Sequence, residues 1–417
     1  MTDLVRASTA ASPLLVTAAL LALGLCPLPA GRARSALDSA RSPELNRADR
    51  EAEAGGYYEG LIGGGPEGAR SELAQRLMGK RTDLVKFHEA GIARVMPEDF
   101  LQFELRPGIE RTLFGQPFTT NAHGMRDRAC LIEKPDGVFR IALVGSSMDM
   151  GWGVGTDEPY VNRLEDWLNL HAARRGLARR FEVLNFAVAA YGPAQRVDAY
   201  RRKVAGFRPD MVIYSATMLD PRLTEIHLCG LLQARVDLKY DFLHRAVAEA
   251  GLTEADLHLD ANRELAAKES IKAKLKGQYW AIADASLGTL AADCRSAGIP
   301  LIGLIIPRVG KADAPAARAE AVAQHLRIGA RQGVRIIDLS ATFDDEDPAH
   351  LDVAAWDDHP NARGHELLFL ALAKALVDDP GLYRSVLGTE KAEGNRRRGP
   401  VSGAIHVPGS PRSIIHD

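Results

Sequence analysis

The 417 residues carry 52 Lys and Arg against 54 Asp and Glu, for a formal net charge of −2, with 46% hydrophobic and 25% charged residues. That balance fits a globular chain of one large domain with appendages or two modest ones, and it leaves no chain-wide basic footprint for nucleic acid. Four cysteines (Cys26, Cys130, Cys229 and Cys294) are too few for a disulfide scaffold and lack metal-ligand spacing, which leaves open a single pair such as Cys229–Cys294.

Residues 13–26 form an uncharged apolar run, with Arg6 before it and Arg32 and Arg34 after it. A spanning helix needs about 20 residues, so the run suits the hydrophobic region of an export signal. Small residues at Ala33 and Ser35 place cleavage before Ala36, and the large Leu25 ahead of Cys26 speaks against a lipoprotein signal. An uncleaved anchor through residues 13–29 is the alternative. Residues 1–35 therefore read as signal peptide or membrane anchor, and the protein as exported: periplasmic, secreted or membrane-anchored.

Residues 36–118 read as linker and N-terminal extension. The run Gly63-Gly-Gly-Pro66 lacks the Gly-Lys-Ser/Thr ending of a phosphate loop, so flexible linker is the expectation there. From about 76 onward, short helix-like and strand-like pieces alternate. A main domain is expected over 119–385. Its five apolar runs, 139–144, 181–186, 211–215, 300–306 and 334–339, lack clean alternation, as strands buried on both faces should. Helical patterns lie between them at 160–173, 195–207, 279–297 and 315–332, and another follows at 361–377. Strands alternating with helices predict a parallel sheet with helices on both sides. The long connection 221–278 is expected to be a helical insertion (242–250 and 262–276), either over the strand ends or as a solvated insert. From 386 to 417 the chain turns polar and Gly/Pro-rich, with Arg396-Arg-Arg398, and a disordered tail is expected.

The first strand ends in Gly145-Ser-Ser-Met-Asp-Met-Gly151, which would deliver the Ser147 hydroxyl to the carboxyl edge of the sheet, where open α/β sheets place their ligands. A serine hydroxyl is a weak nucleophile at neutral pH and needs a base that a third group holds in orientation. Asp357-Asp-His-Pro-Asn361 supplies both, on a loop after the last strand that emerges at the same edge. His359 is the candidate base. Asp357 is the candidate third member, with Asp358 left open beside it. His88, His123, His171 and His227 have no second ligand at metal spacing, and no metal or cofactor is expected.

Over residues 121–382 these motifs resemble the SGNH (GDSL-type) hydrolase superfamily, nearest to members reading Gly-Asp-Ser-Phe-Thr-x-Gly-x-Gly-Val and Asp-x-His-Pro-Asn-x-x-Gly-His. Asn121-Ala-His-Gly-Met-Arg-Asp127 is similar to a third motif of that subgroup. The resemblance implies a flavodoxin-like three-layer α/β/α fold with a five-stranded parallel sheet, plus the N-terminal extension. It also implies ester hydrolysis through Ser147 on a small-molecule or glycan ester. Several positions depart from the pattern. Ser146 stands where the family has Asp, Ala190 where it has its oxyanion glycine, and Leu219 where it has its oxyanion asparagine. Trp356 occupies a place often taken by the triad carboxylate. Thr217, two residues before Leu219 in an extended segment, is a candidate replacement donor. Ala190, Thr217, Ser146 and Asp358 are thus expected to line the site. The functional expectation is an exported serine esterase or deacylase acting on an acylated carbohydrate or cell-envelope substrate. The alternatives are an O-acyltransferase using the same serine, or a degenerate member kept for binding in polysaccharide assembly.

Overall fold

The computed structural model describes residues 90–387 apart from 261–264, 311–314 and 355–356. The expected export segment, the glycine linker, the tail beyond 387 and Trp356 lie outside the described residues.

The described part of the extension makes two antiparallel hairpins, β1 (Ala93–Val95) with β2 (Phe103–Leu105) and β3 (Glu110–Leu113) with β4 (Gln116–Thr119). The main domain then begins with β5 (Val138–Val144), a single helical turn α1 (Ser147–Met150) and α2 (Tyr160–Arg174). Next come β6 (Arg180–Asn185), α3 (Pro193–Arg202), β7 (Met211–Thr217) and α4 (Asp220–Ala234). The insertion continues as α5 (Asp241–Glu249) and α6 (Lys268–Lys276), followed by α7 (Tyr279–Ser296), β8 (Leu301–Ile306), α8 (Pro315–Gln332) and β9 (Arg335–Asp338). A small hairpin of β10 (Asp352–Ala354) and β11 (Asp357–Pro360) leads into α9 (Ala362–Asp378) and α10 (Pro380–Leu387).

The central sheet is parallel throughout, in the order β6-β5-β7-β8-β9. This is the flavodoxin-like order, with its switch point beside β5. Helices α2 and α9 pack together, while α3, α7 and α8 pack in a row, which gives the three layers of an α/β/α fold. The apolar strands expected from sequence are all present. Each is short and Val/Ile/Leu-rich because both faces are covered. Ala142, Val144, Val212 and Tyr214 pack into one core with Val197 of α3 and Leu287 and Leu290 of α7.

Three elements depart from the sequence pattern. The helix expected over 195–207 stops at Arg202. Lys203 leaves helical geometry (φ −130°), and a 3₁₀ turn over Val204–Phe207 then buries its two large apolar side chains. Helix α4 opens the insertion without any amphipathic stripe, because Leu223 through Cys229 are buried without a break. A helix enclosed on all sides carries no 3.6-residue signal. The insertion also joins the core: α6 packs on α4, α5 packs on α7, and Leu243, Ile271 and Leu275 are buried there. Cys229 and Cys294 are both buried and neither is in a disulfide, so the pair left open by the sequence is not formed.

Candidate active site

Strand β5 is buried through Val144, and the chain turns at Gly145 so that Ser147 opens α1 at the carboxyl edge of the sheet. The Ser147 hydroxyl lies 2.7 Å from Nε2 of His359, although 212 residues separate the two. Nδ1 of His359 lies 2.5 Å from Oδ1 of Asp357, which also accepts the His359 backbone N–H at 3.0 Å. With Nδ1–H donated to the carboxylate, Nε2 is left to accept the serine proton. The other carboxylate oxygen, Oδ2, accepts from the indole N–H of Trp152 at 3.2 Å.

Strand geometry settles which aspartate faces the histidine. Side chains two apart on a strand share a face, so Asp357 and His359 of β11 point together and Asp358 points away. Asp358 is instead taken by Arg308, with Nε at 2.6 Å, and its carbonyl accepts the Val309 N–H at 3.1 Å. Asn361 then caps α9, accepting the N–H groups of Arg363 and Gly364 at 2.9 and 3.1 Å. Ligand atoms of Asp357, Asp358 and His359 lie within 4.8 Å of one another. Asp357 is committed to His359 and Trp152, His359 to Asp357 and Ser147, and Asp358 to Arg308.

Burial alone would raise the Asp357 carboxyl, but the His359 charge and hydrogen bonds outweigh it and hold the carboxyl below its ordinary range. Burial likewise works to lower His359, and the Asp357 charge and hydrogen bond outweigh that and raise it above its ordinary value. Ser147 and His359 are only 4% and 2% exposed, so water is largely excluded from the pair.

Of the candidate oxyanion residues, Ala190 lies in the loop after β6 and Thr217 ends β7. Ser147 is the first residue of α1, and the first N–H groups of a helix have no partner within it. Ala190 follows β6 and holds φ at +63°, a region where a Cβ costs roughly 1–2 kcal/mol. Among the described residues no acceptor takes its N–H. The extension braces this turn: the Tyr191 hydroxyl donates to Phe103 O at 2.6 Å, and Gln195 Nε2 donates to Leu101 O at 2.9 Å while its Oε1 receives the Gly192 N–H. Thr217 is the last residue of β7, the strand that pairs with β5 through Val144 and Tyr214. The Thr217 oxygen accepts the Leu219 N–H at 3.1 Å, so at Leu219 neither the side chain nor the backbone offers a free donor. Ser146 donates its N–H to Asp149 Oδ2 at 2.8 Å, and its buried hydroxyl has no partner among the described residues.

Two further residues of the turn are not singled out by the sequence pattern. Trp152 lies between Gly151 and Gly153, both at positive φ, and a side chain at Gly153 would collide with Val353 of the hairpin that carries Asp357. Asp149 is fully buried behind Ser147. The Asn121–Asp127 motif also reaches the site through Asn185. Asp127 Oδ2 accepts the Asn185 N–H at 2.7 Å, and Asn185 Nδ2 donates to Asp149 O at 2.9 Å.

No family model and no curated relative matches the chain. Among solved structures it is similar to the acetylxylan esterase Axe2 of Geobacillus stearothermophilus, with 14% identity, coverage of 62% of this chain and 97% of that one, and TM-score 0.36. It is also similar to a two-domain esterase (CEX) active on acetylated mannans, at 13% identity over 61% of this chain and 55% of that one, TM-score 0.36. A third similar structure is the esterase EstA of a Pseudoalteromonas species, at 12% identity over 57% and 97%, TM-score 0.35.

Proposed function

We propose that the chain is a serine esterase of the SGNH type that removes acyl groups through Ser147. The observation that carries this reading is the unbroken hydrogen-bond relay from Ser147 through His359 to Asp357. His359 Nε2 takes the serine proton as Oγ bonds to the acyl carbonyl carbon. The imidazolium formed is stabilised by Asp357, and it returns the proton to the leaving alcohol as the acyl–oxygen bond breaks. Water then enters by the same steps in reverse and releases the acid. The N–H groups of Ser147 and Ala190 are the donors we assign to the oxyanion. Thr217 is the third, in place of the donor that Leu219 cannot provide. One such donor is worth about 10²–10³ in turnover, so two or three of them leave a working site. The expected export segment supports an acylated carbohydrate or cell-envelope substrate.

The near-complete burial of Ser147 and His359 favours a second outcome for the same acyl-enzyme, transfer to a sugar hydroxyl in a site that excludes water. A serine-reactive fluorophosphonate followed by peptide mapping tests the nucleophile, and short-chain p-nitrophenyl esters test turnover. Labelling at Ser147 and a loss of at least about 10³-fold in turnover for Ser147→Ala are the expected results. Wild-type protein that neither labels nor hydrolyses defeats the reading. Product partition between water and an added sugar acceptor separates hydrolysis from transfer.

A further inference from the structure

Helix α1 is one turn long, and a single turn fixes several dihedral angles for very few hydrogen bonds, so it does not hold its own shape in isolation. The position of Ser147 must come from outside that turn. Asp149 provides the connections. Its Oδ1 accepts the Tyr160 hydroxyl of α2 and the Ser215 hydroxyl of β7, each at 2.6 Å, and its Oδ2 accepts the Ser146 N–H at 2.8 Å. Its backbone carbonyl accepts Asn185 Nδ2 at the end of β6. One residue, two past the nucleophile, thus ties the turn to α2, β6 and β7.

We propose that Asp149 is the positioning residue of the nucleophile, its carboxylate fixing the backbone of Ser146 and Ser147 and with it the direction of the Ser147 Oγ and N–H. This rests on the reading of Ser147 as nucleophile. The contact inventory points to an acceptor on Oδ2, because a backbone N–H can only donate. Gly145 follows from the same geometry, because a Cβ there would collide with the Asp149 carboxylate. Burial is the largest effect and holds the Asp149 carboxyl above its ordinary range, while the donors and the Arg196 charge act the other way. Set against the Gly-Asp-Ser-Phe-Thr pattern, a carboxylate and a hydroxyl have changed places between positions 146 and 149. Ser146 is the N-cap of this turn and Asp149 its third residue, the two positions that face each other across a helix start.

The test uses the full chain in five forms: wild type, Ser147→Ala, Asp149→Asn, Asp149→Thr and the exchange Ser146→Asp/Asp149→Thr. Fluorophosphonate labelling rate, kcat and KM for p-nitrophenyl acetate, and melting temperature are measured for each. Asn matches Asp in size but turns an NH2 towards groups that only donate or must rotate. Asp149→Asn should keep KM within about threefold while labelling rate and kcat fall about 100-fold, the scale of a misplaced nucleophile. The exchange should recover at least about tenfold of the labelling lost in Asp149→Thr. A folded Asp149→Asn that labels within about threefold of wild type overturns the inference and leaves the esterase reading intact. Wild type that does not label, like Ser147→Ala, removes both. Should Asp149→Asn not fold, Tyr160→Phe and Ser215→Ala each delete one donor. A kcat loss at constant KM in either then supports the inference, and unchanged labelling in both overturns it.

Discussion

With His359 as the proposed general base, its pairing with Asp357 has a direct kinetic consequence. A general base must be neutral, and the carboxylate raises the imidazole above its ordinary value of about 6.5. The acid limb of kcat/KM is therefore expected above pH 6.5, with activity lost as pH falls through it. Asp357→Asn removes the charge that holds the proton on His359, so the limb should move to lower pH. Turnover should fall by about 10⁴-fold, the scale set by loss of a triad carboxylate. An unmoved limb in a pH profile of the variant would show that Asp357 does not set the histidine. Sequence alone named both Asp357 and Asp358 here, because linear spacing does not reveal which side of a strand each occupies. Once β11 is extended, Asp358 faces Arg308 and the ambiguity ends. Asp149 was less legible still. Its partners Tyr160 and Ser215 lie 11 and 66 residues away, and no local pattern joins them.

At the scale of elements, the sheet was readable because parallel strands buried on both faces are continuous apolar runs between turn residues. Helix α4 was not, since it is enclosed on every side, and the hairpins β1–β2 and β3–β4 were legible only as short strand-like pieces, being strands of three or four residues. The junction between β7 and α4 depends on a pair that no periodicity marks. Arg196 of α3 forms a two-pronged bond to Asp220, at 2.6 and 2.5 Å, and Asp220 Oδ2 also accepts the Thr217 N–H at 3.3 Å. Both side chains are wholly buried. Asp220→Ala leaves a guanidinium without its counter-charge and is expected to cost about 3–5 kcal/mol in urea unfolding. Arg196→Met/Asp220→Leu should recover most of that loss, because removing both charges also removes their desolvation cost. A double variant no more stable than Asp220→Ala alone would mean that the pair holds β7 to α4 through geometry rather than charge balance.

Across the whole molecule, the loops that surround Ser147 are joined through buried polar groups, and one of these is expected to make stability depend on pH. Asp127 holds the Asn185 N–H at the end of β6, and Asn185 in turn bonds the Asp149 carbonyl and receives the Ala187 N–H at 3.1 Å. Burial pushes the Asp127 carboxyl up to about 7, against the pull of the Asn185 and Arg128 N–H groups. An unfolded aspartate titrates near 3.9, so the folded state binds this proton more tightly than the unfolded state does. The stabilising contribution is complete below about pH 4 and is lost as pH rises through about 7. His359 acts in the same direction, its raised value giving stability that is present below about 6.5 and lost above its folded value. Asp357 acts oppositely, its contribution being lost only on acidification below about 4. Between pH 5 and pH 8 the free energy of unfolding should therefore decline, with up to a few kcal/mol of the change coming from Asp127. Asp127→Asn removes that titration while keeping one acceptor for the Asn185 N–H, so its slope between pH 5 and 8 should be flatter and its stability relative to wild type higher at pH 8 than at pH 5. Urea unfolding of wild type and variant at the two pH values checks this. Parallel slopes would place the titrating group elsewhere and free the Asp127–Asn185 bond from any pH dependence.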